Sequence, residues 1–418
     1  MLKTNFIIKL KHFFFPFYKN KEIKFVLKKL NQSSPENKKA AMFVGGCVRK
    51  HLTNKHIDDI DIATILTTDE IKENFKNTKF NIIDSGVKHG TITLVSKKLK
   101  LEITTLRKDI KTDGRHAEIK YTNDWQEDSE RRDFTINAIY LDANGNIFDP
   151  QLGIEDLKNK NIKFIGDPQK RIDEDHLRII RYLRFSLEYI SKVDHNTLQV
   201  IKTNLDTIKK ISKERIFSEL LKILKLKNFL KINNNTDLKL IFELVFPELK
   251  YLKRLSRLNS LQNFKVEDNE IILAILLIDE KNNHEYFTHK YNVSNYLKDK
   301  LNLLAKNYLN VSKDKNFLKK DLLKNLYYFG KKHLQNLNLL HYAYNKQTKI
   351  KDYFDILKKI EGMNIPNFKY DGNYLKKYGM KEGTLIGKTL KIIEDEWLKN
   401  NFKISNSRVE EIITKQNN

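Results

Sequence analysis

The chain has 418 residues, 40% apolar and 31% charged, the balance of a folded globular protein with room for roughly two to four structural units, not of a disordered chain. Its 78 Lys and Arg against 53 Asp and Glu leave a formal net charge of +25, which points to a polyanionic partner, nucleic acid before an anionic membrane, although codon bias towards Lys, Asn and Ile contributes to the excess. The single cysteine, Cys47, excludes an internal disulfide and any multi-cysteine zinc site.

In chain order, residues 1–39 form an N-terminal extension with a lead-in helix. Its apolar run FIIKLKHFFFPF is broken by Lys9, Lys11 and His12 and has no small-residue cleavage site behind it, so no signal peptide is expected and the cytoplasm is the default compartment. Residues 40–165 carry the turns. Eight of the 14 glycines fall at or before Gly166 and none between 167 and 329. Glycine serves turns and close approaches to ligands. Between the glycines lie short β-branched or aromatic runs, AMFVGG, IDIAT, GTITLV, KLEITTL, FTINAIYLD and IKFIG, which predict strands. ANGN at 143–146 predicts a hairpin turn.

From about residue 170 the period changes. EDHLRIIRYLRFSLEYI and KERIFSELLKILKLKNFLK space their apolar residues by three and four, a helix signature that continues to the end with breaks near 232–236 and 311–316. The run IILAILLI at 271–278 is too short to cross a bilayer, and no membrane association is expected. The predicted fold class is α+β: a mixed head followed by an all-helical remainder.

Four stretches carry chemistry. In FVGGCVRK a strand ends at Gly45-Gly46 and a helix starts at once, the geometry in which free backbone N–H groups receive phosphate, with Arg49 one turn in. In DDIDIAT, Asp59 and Asp61 alternate with Ile60 and Ile62, so both carboxylates share one face of an extended run. Like charges so close call for a cation between them, unless the run is a polar strand edge. In SERRDFTINAIYLD, Arg131 and Arg132 precede Asp133 and a strand whose Asn137 faces the same cleft; an exposed Arg–Asp turn is the plainer alternative. In EDHLRIIRYLRF, Asp175, Arg178 and Arg181 share one helix face that Arg184 continues, opposite Leu177, Ile180 and Leu183. A solvated face with Glu174–Arg178 pairing is the alternative there.

A glycine turn followed by a D-x-D strand resembles the nucleotidyltransferase superfamily that includes DNA polymerase β. With KHGTITL, LEITTLR, RRDFTINA, DPQLGIEDL and KERIFSELLKIL in order, the set resembles the class II CCA-adding tRNA nucleotidyltransferases, and bacterial poly(A) polymerases share much of it. The resemblance is continuous over about residues 40–225, with a weaker match at GMKEGTLIGKTLKIIEDEW. It implies a nucleotidyltransferase head with a short mixed sheet (40–165), a helical neck that recognises the base (166–230), a helical body (231–350) and a tRNA-binding tail (351–418). By that similarity Asp59 and Asp61 are Mg²⁺ ligands with Glu102 a third catalytic acid beside them. Gly45, Gly46 and Arg49 would grip the nucleotide phosphates, and Arg132, Asp133 and Asn137 the sugar and phosphate. Asp175 and Arg178 would read the base edge, supported by Arg181 and Arg184.

The implied reaction is template-independent addition of CCA to tRNA 3′ ends from CTP and ATP, by two-metal nucleotidyl transfer that releases pyrophosphate, in a monomer or weak homodimer. Hydrogen-bond inventory makes the base reading plausible. An ionised Asp only accepts and an Arg only donates, so the pair suits the amino and ring-nitrogen edge of cytosine and adenine and refuses the carbonyl of uracil and guanine. Two positions depart from the pattern: Lys50 stands where an Asp is usual, and Asn54 where several members carry Gly. The long polar stretch 107–130 is expected to be a loop, which favours full CCA addition over CC alone. Poly(A) synthesis from ATP, partial CC or A addition, and a non-catalytic RNA-binding role are the alternatives. His51, His56, His89, His116 and His176 lack metal-ligand spacing and are expected to be structural or surface residues.

Overall fold

Residues 16–33, 39–112, 117–261, 268–279, 281–314 and 316–417 are described in the computed structural model of the chain; the first 15 residues and His116 lie outside them. Contacts separate two units. One runs to Leu252 and takes in Asn269 and Lys290–Asn292; the other holds most of the chain from Lys253 onward.

The first unit is built on β1 (Ala41–Val44), β2 (Ile60–Thr64), β3 (Asn81–Gly86), β4 (Thr91–Val95), β5 (Lys100–Thr105), β8 (Tyr140–Leu141) and β9 (Ile147–Phe148). They form one sheet in the order β3-β4-β5-β2-β1-β8-β9. Only β2 and β5 pair in parallel, with Asp61 opposite Glu102, so the sheet is mixed as expected. All four residues of β1 are buried. The helix Lys21–Gln32 turns Ile23, Val26, Leu27 and Leu30 inward, and Asn20 caps its start by accepting from the Glu22 backbone N–H at 2.9 Å.

Three expectations are corrected here. The run FTINAIYLD is a strand only at Tyr140–Leu141, because Thr135–Asn137 is a 3-10 turn. Every residue from Phe134 to Leu141 is buried. Asp133 Oδ1 instead accepts from the Phe134 backbone N–H at 2.9 Å, a local bond that competes with strand pairing, and from Asn137 Nδ2 at 2.8 Å. IKFIG likewise contributes a single bridge, Phe164 to Phe134. The polar stretch 107–130, expected as a loop, carries regular elements where it is described: β6 (Arg107–Thr112) and β7 (Ala117–Tyr121) pair antiparallel, and the helix Trp125–Glu130 follows. The turn at ANGN forms as predicted, with Gly145 at φ 90° and Asp142 Oδ1 accepting from Asn144 and Asn146 N–H at 2.8 Å.

The third correction bears on the site. The helix Pro168–Glu174 stops at Asp175 (φ −153°, ψ 104°), and a new helix, Arg178–Tyr189, begins after it. Asp175 Oδ1 accepts from the Leu177 N–H at 3.1 Å, a side-chain turn that breaks the helix. Asp175 therefore sits ahead of the face shared by the arginines. The apolar stripe Leu177, Ile180 and Leu183 is buried as its spacing predicts.

In the second unit every regular element is a helix among the described residues. The helix Asn269–Leu277 buries Ile271 through Leu277 without a polar face, so the apolar run of the sequence is a core helix. No helix among the described residues is long and apolar enough to cross a membrane. Gly330 (φ 76°, ψ 162°) kinks Leu322–Tyr344. The last helices enclose Leu375, Met380, Ile393, Val409, Ile412 and Ile413.

Candidate active site

β1 runs directly into Gly45, whose φ of 72° and ψ of −126° suit a residue without a Cβ, and the helix Gly46–Leu52 starts there. A Cβ added at Gly45 or Gly46 would stand 3.6 or 3.8 Å from Asp61 Oδ2, so the carboxylate lies directly against the turn. Asp59 lies just before β2 and Asp61 within it. Burial first, and then Glu102 in register beside it, push the Asp61 carboxyl above its ordinary range; Asp59 adds to this while Arg132 and Arg49 oppose it. Such a carboxylate gains from any positive charge that arrives. Glu102 is held by Lys100 at 2.7 Å. Lys50 finds its acid outside its own helix, binding Asp58 Oδ2 at 2.7 Å while His56 approaches Oδ1 at 3.0 Å.

Arg49, expected at the phosphates, is buried. Its Nε donates to Tyr189 Oη at 3.0 Å, another guanidinium nitrogen donates to Asn137 Oδ1, and its plane lies 4.6 Å from the Phe185 ring. Asn137 continues to Asp133, which Arg181 grips at 2.7 and 2.6 Å. Burial opposes charge on Asp133, yet Arg181, Asn137 and Arg178 outweigh it and hold the carboxyl at about 2. Arg49, Asn137, Asp133 and Arg181 thus form one polar chain, buried except at Arg181, whose side chain is partly exposed. Arg132 leads elsewhere. It meets Asp128 at 2.8 Å and Tyr140 Oη at 3.1 Å.

Asp175 and Arg178 do not bond each other through their side chains. Asp175 Oδ2 accepts from Arg215 at 2.8 Å, while Arg178 binds Glu174 and reaches the Arg131 carbonyl at 3.1 Å. Arg184 pairs with Glu219 at 2.7 Å and lies 4.1 Å over Phe185, so three predicted arginines surround that ring. Sequence reasoning missed Asp128, Tyr189, Arg215 and Glu219. Asp128 had a signal, since it precedes Arg131 and Arg132 by three and four residues on a helix end. Arg215 and Glu219 had none, because their partners lie 40 and 35 residues away.

Among the described residues no three His, Cys, Asp or Glu side chains converge as a complete metal-binding set. The donors present are carboxylate oxygens. They suit a hard divalent ion of the Mg²⁺ kind, which typically takes one or two protein carboxylates and completes its shell with water and substrate phosphate.

Residues 41–163 match the family described as "Poly A polymerase head domain", and residues 192–252 the one described as "Probable RNA and SrmB- binding site of polymerase A". Over 411 residues the chain is 32% identical to the mitochondrial CCA tRNA nucleotidyltransferase 1 of Homo sapiens, covering 93% of this chain and 90% of that one. Among solved structures, the Bacillus stearothermophilus CCA-adding enzyme in complex with CTP superposes with a TM-score of 0.72 at 24% identity, over 94% of this chain and 96% of that one. The Thermotoga maritima CCA-adding enzyme complexed with tRNA superposes at 0.60 and 22% identity, over 95% and 96%. At these identities the structural likeness is one of fold.

Proposed function

The chain belongs to the CCA-adding tRNA nucleotidyltransferases, and from that premise we propose that it adds C, C and A in turn to the 3′ end of tRNA from CTP and ATP. The observation that carries the reading is Asp61, a carboxylate pushed towards neutrality that faces the Gly45-Gly46 turn beside Glu102. In this reading the turn and the N-terminal backbone of Gly46–Leu52 receive the triphosphate, and Asp59 and Asp61 hold Mg²⁺. Held there, Mg²⁺ would supply Lewis-acid chemistry, favouring attack by the tRNA 3′-hydroxyl and release of pyrophosphate. Relatives with CTP and with tRNA bound support the substrates.

Asp175 would accept from the amino group of cytosine or adenine and Arg178 would donate to the ring nitrogen. For that, Arg178 gives up part of its hold on Glu174. Arg49, Arg132 and Arg181 act from behind the substrate, by fixing the wall formed by Asn137, Asp133 and Tyr140.

Purified protein with a tRNA transcript lacking CCA, Mg²⁺ and each nucleotide alone or paired tests this at single-nucleotide resolution. Two additions with CTP and a third only with ATP are expected, and Asp61→Asn should abolish all three. Long tails from ATP alone on unrelated RNA would make the chain a poly(A) polymerase instead.

A further inference from the structure

Two opposite charges meet at the catalytic cleft without pairing. Burial and then Glu102 raise the Asp61 carboxyl, and Arg132 is the largest influence that lowers it. Yet among the described residues the Asp61 carboxylate makes no hydrogen bond or ion pair, and Nη1 of Arg132 makes none either. A guanidinium carries five N–H donors and bonds a carboxylate within its reach strongly. This one is held back.

The restraint is Asp128, on the helix Trp125–Glu130, whose side chain is fully buried. Its Oδ2 accepts from Arg132 Nη2 at 2.8 Å, from Arg132 Nε at 3.2 Å and from the Tyr140 hydroxyl at 2.7 Å. Tyr140 Oη in turn accepts from Arg132 Nε at 3.1 Å, which closes a ring of three side chains. Oδ1 is spent on Arg131, 2.8 Å from Nε and 2.7 Å from Nη2. Burial opposes charge on Asp128, but Arg132 and Arg131 outweigh it and hold the carboxyl well below its ordinary range. The ring is anchored in the sheet. Tyr140 pairs with Val44, the residue before Gly45, and Trp125 meets the Tyr140 ring edge-on at 5.5 Å.

Two arginines share this one carboxylate, so the group keeps a net positive charge. Arg132 commits Nε and Nη2 to the ring, and only Nη1 is left over. We propose that Asp128 is a positioning residue: with Tyr140 it tethers Arg132 beside Asp61 and keeps the two from pairing, so that the carboxylate stays open to a metal ion. Without the tether Arg132 turns to Asp61, and a divalent ion must displace it. The inference rests on the reading of Asp61 as a metal ligand.

Mn²⁺ alone is the probe, added to the full-length chain, with the free ion counted by electron paramagnetic resonance. Binding lost in Asp61→Asn is binding at this site. Asp128→Asn should weaken it by roughly tenfold or more. Tyr140→Phe, which keeps the ring and removes one hydroxyl, should weaken it less. Arg132→Gln should bind Mn²⁺ at least as tightly as the unaltered chain, and in that background Asp128→Asn should add little. A plain change of local charge would act equally in both backgrounds. Circular dichroism and urea midpoints check each fold, and if Asp128→Asn does not fold, Tyr140→Phe in the two backgrounds decides alone. Unchanged Mn²⁺ binding in the folded variants, or an equal loss with and without Arg132, overturns the proposal and leaves the metal reading standing. Mn²⁺ binding that survives Asp61→Asn overturns the metal reading, and the proposal with it.

Discussion

At the scale of single residues, the site is defined by partners more than by the residues that first attract attention. Cys47 follows the glycine turn, where a thiol is often activated, yet it is fully buried and its Sγ donates to the Val44 carbonyl at 3.3 Å. Burial, reinforced by Asp61, pushes its pKa up to about 12. A thiol reagent at pH 8 should therefore leave the native protein unmodified and label one group per chain in denaturant. Rapid labelling of folded protein would show that the turn opens. Arg215 is a second case. Its bond orients Asp175, and a hydrogen bond to a charged group contributes about 1.5–3 kcal/mol. Arg215→Ala should lower kcat/KM for CTP by roughly tenfold or more and weaken discrimination against UTP. In an Asp175→Asn background the same change should add little, because the effect runs through that carboxylate. Equal losses in both backgrounds would give Arg215 an independent role.

At the scale of elements, steric fit separates glycines that look alike in the sequence. A Cβ at Gly153 would lie 2.2 Å from the Thr135 carbonyl oxygen, so the helix Gly153–Asn159 seats against the 3-10 turn that carries Asn137 only because that residue has no side chain. Gly153→Ala should cost about 1–3 kcal/mol or more. Gly387, in the open on the helix Thr384–Lys399, should gain up to about 1 kcal/mol when replaced by Ala. Urea titrations check both: the midpoint should fall for the first and rise for the second with unchanged slope. The same contrast explains what the sequence disclosed. Strands β1, β2, β4 and β5 and the glycine turn follow from local patterns, because each is a short apolar or β-branched run bounded by turn residues. The break at Asp175 and the 3-10 turn at Thr135–Asn137 did not, because at both places an aspartate side chain bonds the backbone and overrides periodicity. Asp61 and Glu102 could be named as neighbours only through resemblance, since their parallel pairing spans 41 positions of chain. The hairpin β6–β7 was hidden by polar residues on both of its faces.

At the scale of the whole molecule, a chain of net charge +25 depends on its carboxylates to stay folded in acid. Asp133 is held at about 2 against an ordinary 3.8, so its contribution is complete above 3.8 and is lost as pH falls towards 2. The shift corresponds to roughly 2 kcal/mol. Asp142, also held at about 2 by Lys39 and Asn146 against the opposing effect of its burial, loses its contribution over the same window. Protonation at the same time removes negative charge from a basic surface, and self-repulsion grows. Salt separates the two effects. It screens exposed charges over about 8–10 Å at physiological strength but reaches a partly buried pair such as Asp133–Arg181 less. Urea midpoints measured at successive pH values should therefore fall between pH 4 and pH 2, with a part of the fall that added salt does not recover. Asp133→Asn should start from a lower stability at neutral pH and lose less of it on acidification. If salt restored the whole of the lost stability, repulsion among the surface lysines, and not the buried aspartate, would set the acid limit of the fold.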